Sequence, residues 1–275
     1  MHLSGNTCKW IAIGFLLALW FTVPPVTAAG DQSLELKWKF PAEMKLSYSI
    51  LQEARIQYYF EREDAERPLR SPVHNEITRG TASFETLPDG NAYGDLLLKL
   101  VDIRENNVSL DVPEKQKIPQ KVCRFIMTPE GSMEQYSGPK KETYVLTRLI
   151  FGVPIQRLKM SEVRMYPFTM YTDKDESRSP MTGRISHEFQ SVEVVHGAKC
   201  AKIVTTVDLT DGSPGSNIQS SVWKGTATSL FNIDEGRLES SEWSLAVKQT
   251  MTAVKEEDPV MSVQIYTIKV ERSRE

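Results

Sequence analysis

Ser221 and Lys224 stand at the S-x-x-K spacing, in which a lysine amine activates a serine hydroxyl for acyl transfer. That chemistry requires the serine to begin a helix, together with companion S-D-N and K-T-G motifs. The sequence contains neither companion, and it has no G-x-S-x-G nucleophile elbow. Because apolar and polar residues alternate around Ser221, we expect a strand here and no covalent catalysis.

Metal-ligating residue types are present but lack the spacing of known sites. The histidines after residue 30 are His74, His187 and His196. No two of them have the i, i+4 spacing of a helical zinc site, so we expect each in a loop or on a sheet surface. The acidic groups that could hold calcium are Asp173, Asp175 and Glu176, and Asp208 with Asp211. Neither group has EF-hand spacing, and solvated acidic loops are the interpretation we prefer.

Cys123 and Cys200 are the two cysteines after residue 30. In an oxidising compartment such a pair either forms a disulfide or stays free. Cys123 alternates with Phe125 and Met127, which predicts that it faces a core, whereas Cys200 shares its face with the charged Lys202. A bridge would contribute about 4 kcal/mol by closing a long loop. The sequence leaves both alternatives open.

Residues 1–28 have the three parts of a cleavable signal peptide. The single basic residue Lys9 precedes an uncharged run from Trp10 to Val23, and small residues end at Ala28. The run is shorter than the roughly 20 residues that cross a bilayer, which disfavours a membrane anchor. We predict cleavage after Ala28 or Ala29 and a periplasmic or secreted mature protein without a membrane span.

The charge balance excludes one class of partner. The 275-residue chain has 33 basic and 36 acidic residues, a net charge of -3. A nucleic-acid-binding domain would carry a basic excess, so no nucleic-acid partner is predicted. With 40% hydrophobic and 25% charged residues, the composition is that of a folded protein. A chain of this size can form its core without a metal or another cofactor, and we predict none.

Period-two alternation is the clearest pattern, and it predicts long β-strands. From Met44 to Phe60 the even positions are almost all apolar, and from Trp243 to Ala253 most odd positions are apolar. One strand over the first stretch would reach roughly 56 Å, which favours a strongly curved sheet or a long hairpin arm. A helix over Leu51–Arg67 is the competing interpretation. We keep the strand because the alternation continues past Gln52.

Further alternating segments joined by tight turns predict a mainly β protein. The expected fold is a long curved antiparallel meander, either a half-barrel or a two-lobed sheet, with one short helix near the middle. Lys140–Phe151 is that helix, because its apolar residues recur at helical spacing before a Gly and a Pro. We expect β-rich halves over 29–138 and 161–275 and a helical linker over 139–160, with one continuous domain as the alternative.

The long apolar faces are the best candidate for a binding site. They either cover each other, are covered by the central helix, or leave a groove for an acyl chain or another apolar ligand. The residues expected to line such a groove are Trp38, Met44, Leu46, Tyr48, Ile50, Trp243, Leu245 and Val247. The methionines that could add adaptable lining, and that suit core filling equally well, are Met44, Met127, Met160, Met165, Met170 and Met251.

Two segments resemble uncharacterised exported bacterial proteins of about this size. The opening strand of such proteins is matched here by Leu34, Leu36, Trp38 and Tyr48. Their final strand pair resembles Phe231–Trp243, with the pattern F-x-x-x-x-G-R-L-x-S-S-E. Glu43 stands near a position where those proteins have Gly, and no G-x-x-W follows Pro154. The meander with one midway helix also looks like the lipoprotein carriers LolA and LolB, whose half-barrel sheet holds acyl chains.

These observations predict a non-enzymatic exported protein that carries or binds lipid, lipoprotein or another apolar ligand in the cell envelope. Its expected partners are acyl chains, a lipoprotein or an envelope protein. The alternative is a scaffold or adhesion-type interaction protein with no small ligand.

Overall fold

The structure is a computed structural model of the chain. It describes residues 33–42, 45–60, 69–137, 141–152, 157–170, 180–212, 218–252 and 259–274. The predicted signal peptide with both cleavage sites, Met44, and the acidic group at 173–176 lie outside these ranges. Asp31–Glu275 forms one compact unit.

The described residues form fifteen strands and two helices. The first strands are β1 (Ser33–Leu34), β2 (Leu46–Phe60), β3 (Leu69–Arg70), β4 (His74–Thr86), β5 (Ala92–Glu105), β6 (Val108–Leu110), β7 (Gln120–Met127) and β8 (Met133–Ser137). The later strands are β9 (Leu158–Lys159), β10 (Val163–Met170), β11 (Met181–Val195), β12 (Ala198–Asp211), β13 (Ile218–Asn232), β14 (Arg237–Met251) and β15 (Met261–Arg272). The helices are α1 (Glu114–Lys117) and α2 (Lys141–Phe151).

Thirteen strands form one antiparallel sheet in the order β10-β11-β12-β13-β14-β15-β2-β4-β5-β7-β8, with β3 beside β2 and β6 beside β5. This confirms the predicted mainly β, antiparallel fold. β15 pairs with β2 along its whole length, with Met261 opposite Tyr59 at one end and Arg272 opposite Tyr48 at the other. Strands from both halves of the chain therefore belong to a single sheet. The predicted central helix is observed as α2.

β2 remains a strand along Leu46–Phe60, so the competing helix is wrong for the described part of that segment. Its 15 residues extend for about 50 Å. Leu46, Tyr48, Ile50 and Ala54 are buried, whereas Ser49 and Glu53 are exposed. The alternation of apolar and polar residues in the sequence thus matches the alternation of buried and exposed side chains in this strand.

The contacts of α2 show that the sheet curls. Thr147 Oγ1 lies 3.8 Å from Cys123 Sγ on β7, while the Arg148 guanidinium lies 4.6 Å from the centre of the Phe168 ring on β10. These strands are nine positions apart in the sheet, which would separate them by about 43 Å if the sheet were flat. The sheet is therefore strongly curved, with α2 on its concave face. Its edge strands β10 and β8 do not pair with each other where the chain is described.

α2 fills the concave face of the N-terminal strands. Val145 and Phe151 are fully buried on the helix. The Phe151 ring centre lies 5.3 Å from that of Phe84 on β4, and Phe84 lies 5.8 Å from Phe125 on β7. In this region the apolar face of the sheet is covered by the protein itself.

The segment Leu34–Phe40, here called the strap, bridges two turns at one end of the sheet. The Trp38 amide donates to the Pro129 carbonyl at 2.8 Å, and the Lys39 amide donates to the Gly236 carbonyl at 2.7 Å. The Trp38 ring packs edge-on against Phe231 at 5.3 Å. The two segments that carry the sequence resemblance, one from each end of the chain, therefore pack against each other.

The disulfide alternative is wrong. Cys123 and Cys200 are both free and buried. Six strands separate β7, which carries Cys123, from β12, which carries Cys200. Burial raises the pKa of both thiols, which favours their protonated form.

Candidate apolar-ligand site

The predicted groove residues on β2 belong to the packed core. Leu46, Tyr48 and Ile50 are buried on the concave face. The Tyr48 ring centre lies 5.8 Å from Phe84 and 5.5 Å from Phe151 of α2. Their expected role as groove lining is corrected to packing, because α2 covers this part of the sheet. Trp38, buried in the strap, has a packing role as well.

The predicted residues on β14 lie on a second part of the concave face, formed by β12–β15. Trp243 is opposite Ala227, and Val247 is opposite Trp223. We call this surface the trough; it comprises Val207, Leu209, Trp223, Ala227, Trp243, Leu245, Val247 and Ile268, all of them buried. Three of the eight predicted groove residues, Trp243, Leu245 and Val247, therefore lie on this buried apolar face.

The methionines that were predicted as possible groove lining differ in their burial. Met127 is buried in the core. Met160 and Met165 are exposed, and their prediction as groove lining is wrong because they do not lie among the buried residues of the concave face. Met251 is half-buried at the end of β14.

One polar atom within the trough lacks a partner. Trp243 Nε1 is buried and has no hydrogen-bond partner in the structure. An indole N–H only donates, and leaving it unpaired in a protein interior costs about 1–3 kcal/mol. The other trough tryptophan, Trp223, donates from Nε1 to Ser221 Oγ at 2.9 Å. Trp243 therefore lacks the acceptor that its neighbour has.

A rim of polar side chains borders the trough at the ends of β13, β14 and β15. Ser262 Oγ and Gln264 Nε2 each donate to Gln249 Oε1 at 3.2 Å. Ser221 is opposite Gln249, and Asp211 of β12 is opposite Ser221. Asp211, Ser221, Gln249 and Ser262 are all buried. The concave face thus changes from apolar to polar along the strands.

Ser221 of the S-x-x-K pair is part of this rim, but Lys224 is not. Ser221 Oγ accepts the Trp223 hydrogen bond, whereas Lys224 is exposed on the other face, 3.5 Å from Asp208. The serine hydroxyl and the lysine amine therefore do not meet. Asp208 and Asp211 also face opposite sides of β12, and no cluster of three potential metal ligands occurs in the described ranges.

The structure contradicts the loop or sheet-surface position predicted for His187. It lies on β11, is 2% exposed and is not on a surface. Its Nδ1 is 2.9 Å from Thr205 Oγ1 on β12, and its Nε2 has no hydrogen-bond partner. Burial lowers the pKa of His187 to about 4, so the ring is neutral at pH 7. His74 is half-buried at the start of β4, and His196 is exposed in the β11–β12 turn, where φ is 51°.

Tyr166 lies near His187, and Arg148 lies over Phe168; neither Tyr166 nor Arg148 was predicted as a site residue. The Tyr166 ring centre is 5.6 Å from that of His187, and the buried Tyr166 Oη has no partner at hydrogen-bond geometry, although the Arg164 side chain lies close to it. Phe168, which stacks under Arg148, follows Tyr166 by two residues and so shares its strand face. The alternation of Arg164, Tyr166 and Phe168 was visible in the sequence, but nothing local indicated that α2 would reach this strand.

An ion cluster holds the β13–β14 turn beneath the strap. Arg272 Nη1 donates to Glu235 Oε2 and to Glu239 Oε1, each at 2.7 Å. Asn232 Nδ2 also donates to Glu239, and Arg237 pairs with Glu235. The cluster borders a cavity of about 370 Å³. Because both carboxylates are paired, we assign the cluster a structural role.

Comparison with known proteins adds no family assignment. The sequence matches no protein-family model, and no curated protein matches it. Among the described residues, neither helix is long and apolar enough to span a membrane.

Proposed function

We propose that the protein is an exported binder or carrier of an apolar ligand of the acyl-chain type, held in the trough. The observation that carries this proposal is the unpartnered Trp243 Nε1 on a buried apolar surface of an unclosed, curved sheet. Buried donors in protein interiors normally have partners; Trp38 Nε1 and Tyr48 Oη, in the packed part of the concave face, also lack one. A ligand bound in the trough covers Trp243, and the surrounding aliphatic side chains contact its chain.

The energetics allow such binding. Burying a twelve-carbon chain at about 0.8 kcal/mol per methylene gives roughly 10 kcal/mol of gross stabilisation. Association costs remove several kcal/mol, which leaves about −8 kcal/mol, or low-micromolar affinity. The trough therefore needs few polar contacts to hold its ligand.

Ala227→Phe tests the trough directly. Ala227 faces the concave side between Thr205 and Trp243, so a phenyl ring there occupies the space proposed for the ligand. We expect the affinity for a fluorescent fatty acid to fall about tenfold or more, equivalent to about 1.4 kcal/mol, with little change in Tm. The measurement is a fluorescence titration with a thermal melt of each variant.

Thr226→Phe is the matched control, because Thr226 is exposed on the opposite face of β13. It should leave both affinity and Tm near the wild-type values. A large loss of Tm in Ala227→Phe alone would show that protein already fills the space, since overpacking costs about 1–3 kcal/mol. Absence of saturable wild-type binding at tens of micromolar would remove the carrier proposal.

Export is the second part of the proposal, and it is supported by the signal-peptide pattern of residues 1–28. The mature chain is expected to begin at Ala29 or Gly30. N-terminal sequencing of protein from the envelope or the medium checks this. Membrane-bound protein that retains Met1 would contradict it.

A scaffold or adhesion-type protein is the second candidate. It is favoured by Val163 and Met165, which are each 59% exposed on the edge strand β10. Exposed edge strands can pair with a strand of a partner protein. The fatty-acid titration distinguishes the two candidates, because a scaffold has no saturable site for the probe.

A further inference from the structure

The concave face of β10 and β11 contains two buried polar atoms without a partner at hydrogen-bond geometry, although the Arg164 side chain lies close to one of them, the Tyr166 hydroxyl. They are His187 Nε2 and Tyr166 Oη, on rings whose centres are 5.6 Å apart. His187 itself is 2% exposed, so water reaches its ring poorly. Two adjacent unsatisfied groups are unusual in a protein interior, where nearly all polar groups have partners.

A cation from α2 lies on the same face of β10, over the residue two positions after Tyr166. The Arg148 guanidinium stacks 4.6 Å above Phe168, and no described carboxylate pairs with it. Arg164, which lies on β10 opposite His187 and beside Tyr166, is instead bound to Glu162 at 2.9 Å. Arg148 therefore has guanidinium donors available on the side of the sheet that carries His187 and Tyr166.

We propose that Arg148, Tyr166 and His187, here called the anchor, bind the carboxylate head of a long-chain acid whose tail lies in the trough. This inference rests on the proposed function and names its ligand class. A guanidinium is the side chain best suited to hold a carboxylate, through two parallel hydrogen bonds. With the Thr205 hydroxyl donating to Nδ1, neutral His187 donates from Nε2, and Tyr166 donates from its hydroxyl.

The anchor and the trough are adjacent. His187 pairs with Thr205 on β12, and this row continues through Ala227 to Trp243 and Ile268. From β11 to β15 the row crosses four strand spacings, or about 19 Å along the sheet. A ligand with its head at His187 can therefore extend its chain across the trough.

The test compares dodecanoate with its uncharged methyl ester, each displacing the apolar dye N-phenyl-1-naphthylamine from the full mature chain at pH 7.5. The wild type should bind dodecanoate about tenfold more tightly than the ester. Arg148→Met and Tyr166→Phe should abolish this preference and leave the ester affinity unchanged. Arg184→Met, which removes an exposed cation on the opposite face of β11, should retain the preference.

Each result decides between the two proposals. If neither the dye nor either ligand binds, the proposed function fails. If acid and ester bind equally to the wild type, or if both anchor variants keep the preference, the anchor is wrong while the carrier function stands. Tyr166→Phe removes a single unpartnered oxygen, so it keeps the anchor testable if Arg148→Met does not fold.

Discussion

Trp38→Ala is expected to lower the free energy of unfolding by about 3–5 kcal/mol. The Trp38 side chain is 2% exposed, and its ring packs against Phe231 at 5.3 Å and Phe84 at 6.2 Å. Its removal leaves a cavity between the strap and the sheet. The strap also joins the β7–β8 and β13–β14 turns, so its loosening weakens two distant parts of the chain together. Urea unfolding followed by tryptophan fluorescence and by circular dichroism measures the change.

Lys37→Ala is the control from the same segment. Its side chain is half-exposed and pairs only with Glu35, at 3.0 Å. Exposed ion pairs contribute little, so the free energy of unfolding should change by less than about 1 kcal/mol. Equal and small effects of the two substitutions would show that the strap does not cover the core.

Local patterns were sufficient to predict two elements of this fold, β2 and α2. The alternation in β2 depends only on the two faces of one strand, and it correctly indicated which residues are buried. α2 was predicted at nearly its observed bounds because its apolar residues recur at helical spacing and a Gly and a Pro follow it.

The assembly of the elements depends on contacts between distant residues, which local patterns do not contain. Trp38 meets Phe231 across 193 positions of sequence, and Arg148 reaches Phe168 only because the sheet curls. For this reason Tyr48 and Ile50 were predicted as groove lining although α2 packs over them. The sequence could not show which part of the apolar face the helix would cover.

His187 was within reach of sequence analysis. Ile185, His187 and Phe189 alternate with polar residues, which is the pattern of a strand with one buried face. This alternation predicts a buried position for His187, in contrast to the loop or sheet-surface position expected from the absence of metal-site spacing. The missing partner of Nε2, in contrast, emerges only when Tyr166 and Thr205 are placed around the ring in three dimensions.

Acidification is expected to destabilise the protein through His187. Burial lowers the pKa of the folded-state ring to about 4, compared with 6.5 in the unfolded chain. Between these values the unfolded state binds the additional proton, so the stability that His187 contributes is complete above about pH 6.5 and is lost as the pH falls towards 4. At about 1.4 kcal/mol per pH unit, the loss reaches about 3 kcal/mol. Urea unfolding at several pH values between 4 and 7.5 measures it.

His187→Phe isolates this effect from other groups that titrate in the same range. The substitution removes the hydrogen bond with Thr205 at every pH, which changes the free energy of unfolding by a constant amount. It also removes the buried group that binds a proton. The difference in free energy of unfolding between wild type and His187→Phe should therefore shrink by about 3 kcal/mol from pH 7 to pH 4. His196→Asn controls for the loss of an imidazole that is exposed in a turn. A difference that does not vary with pH would mean that the His187 ring is accessible to protons in the folded protein, which would also remove the dry environment that the anchor requires.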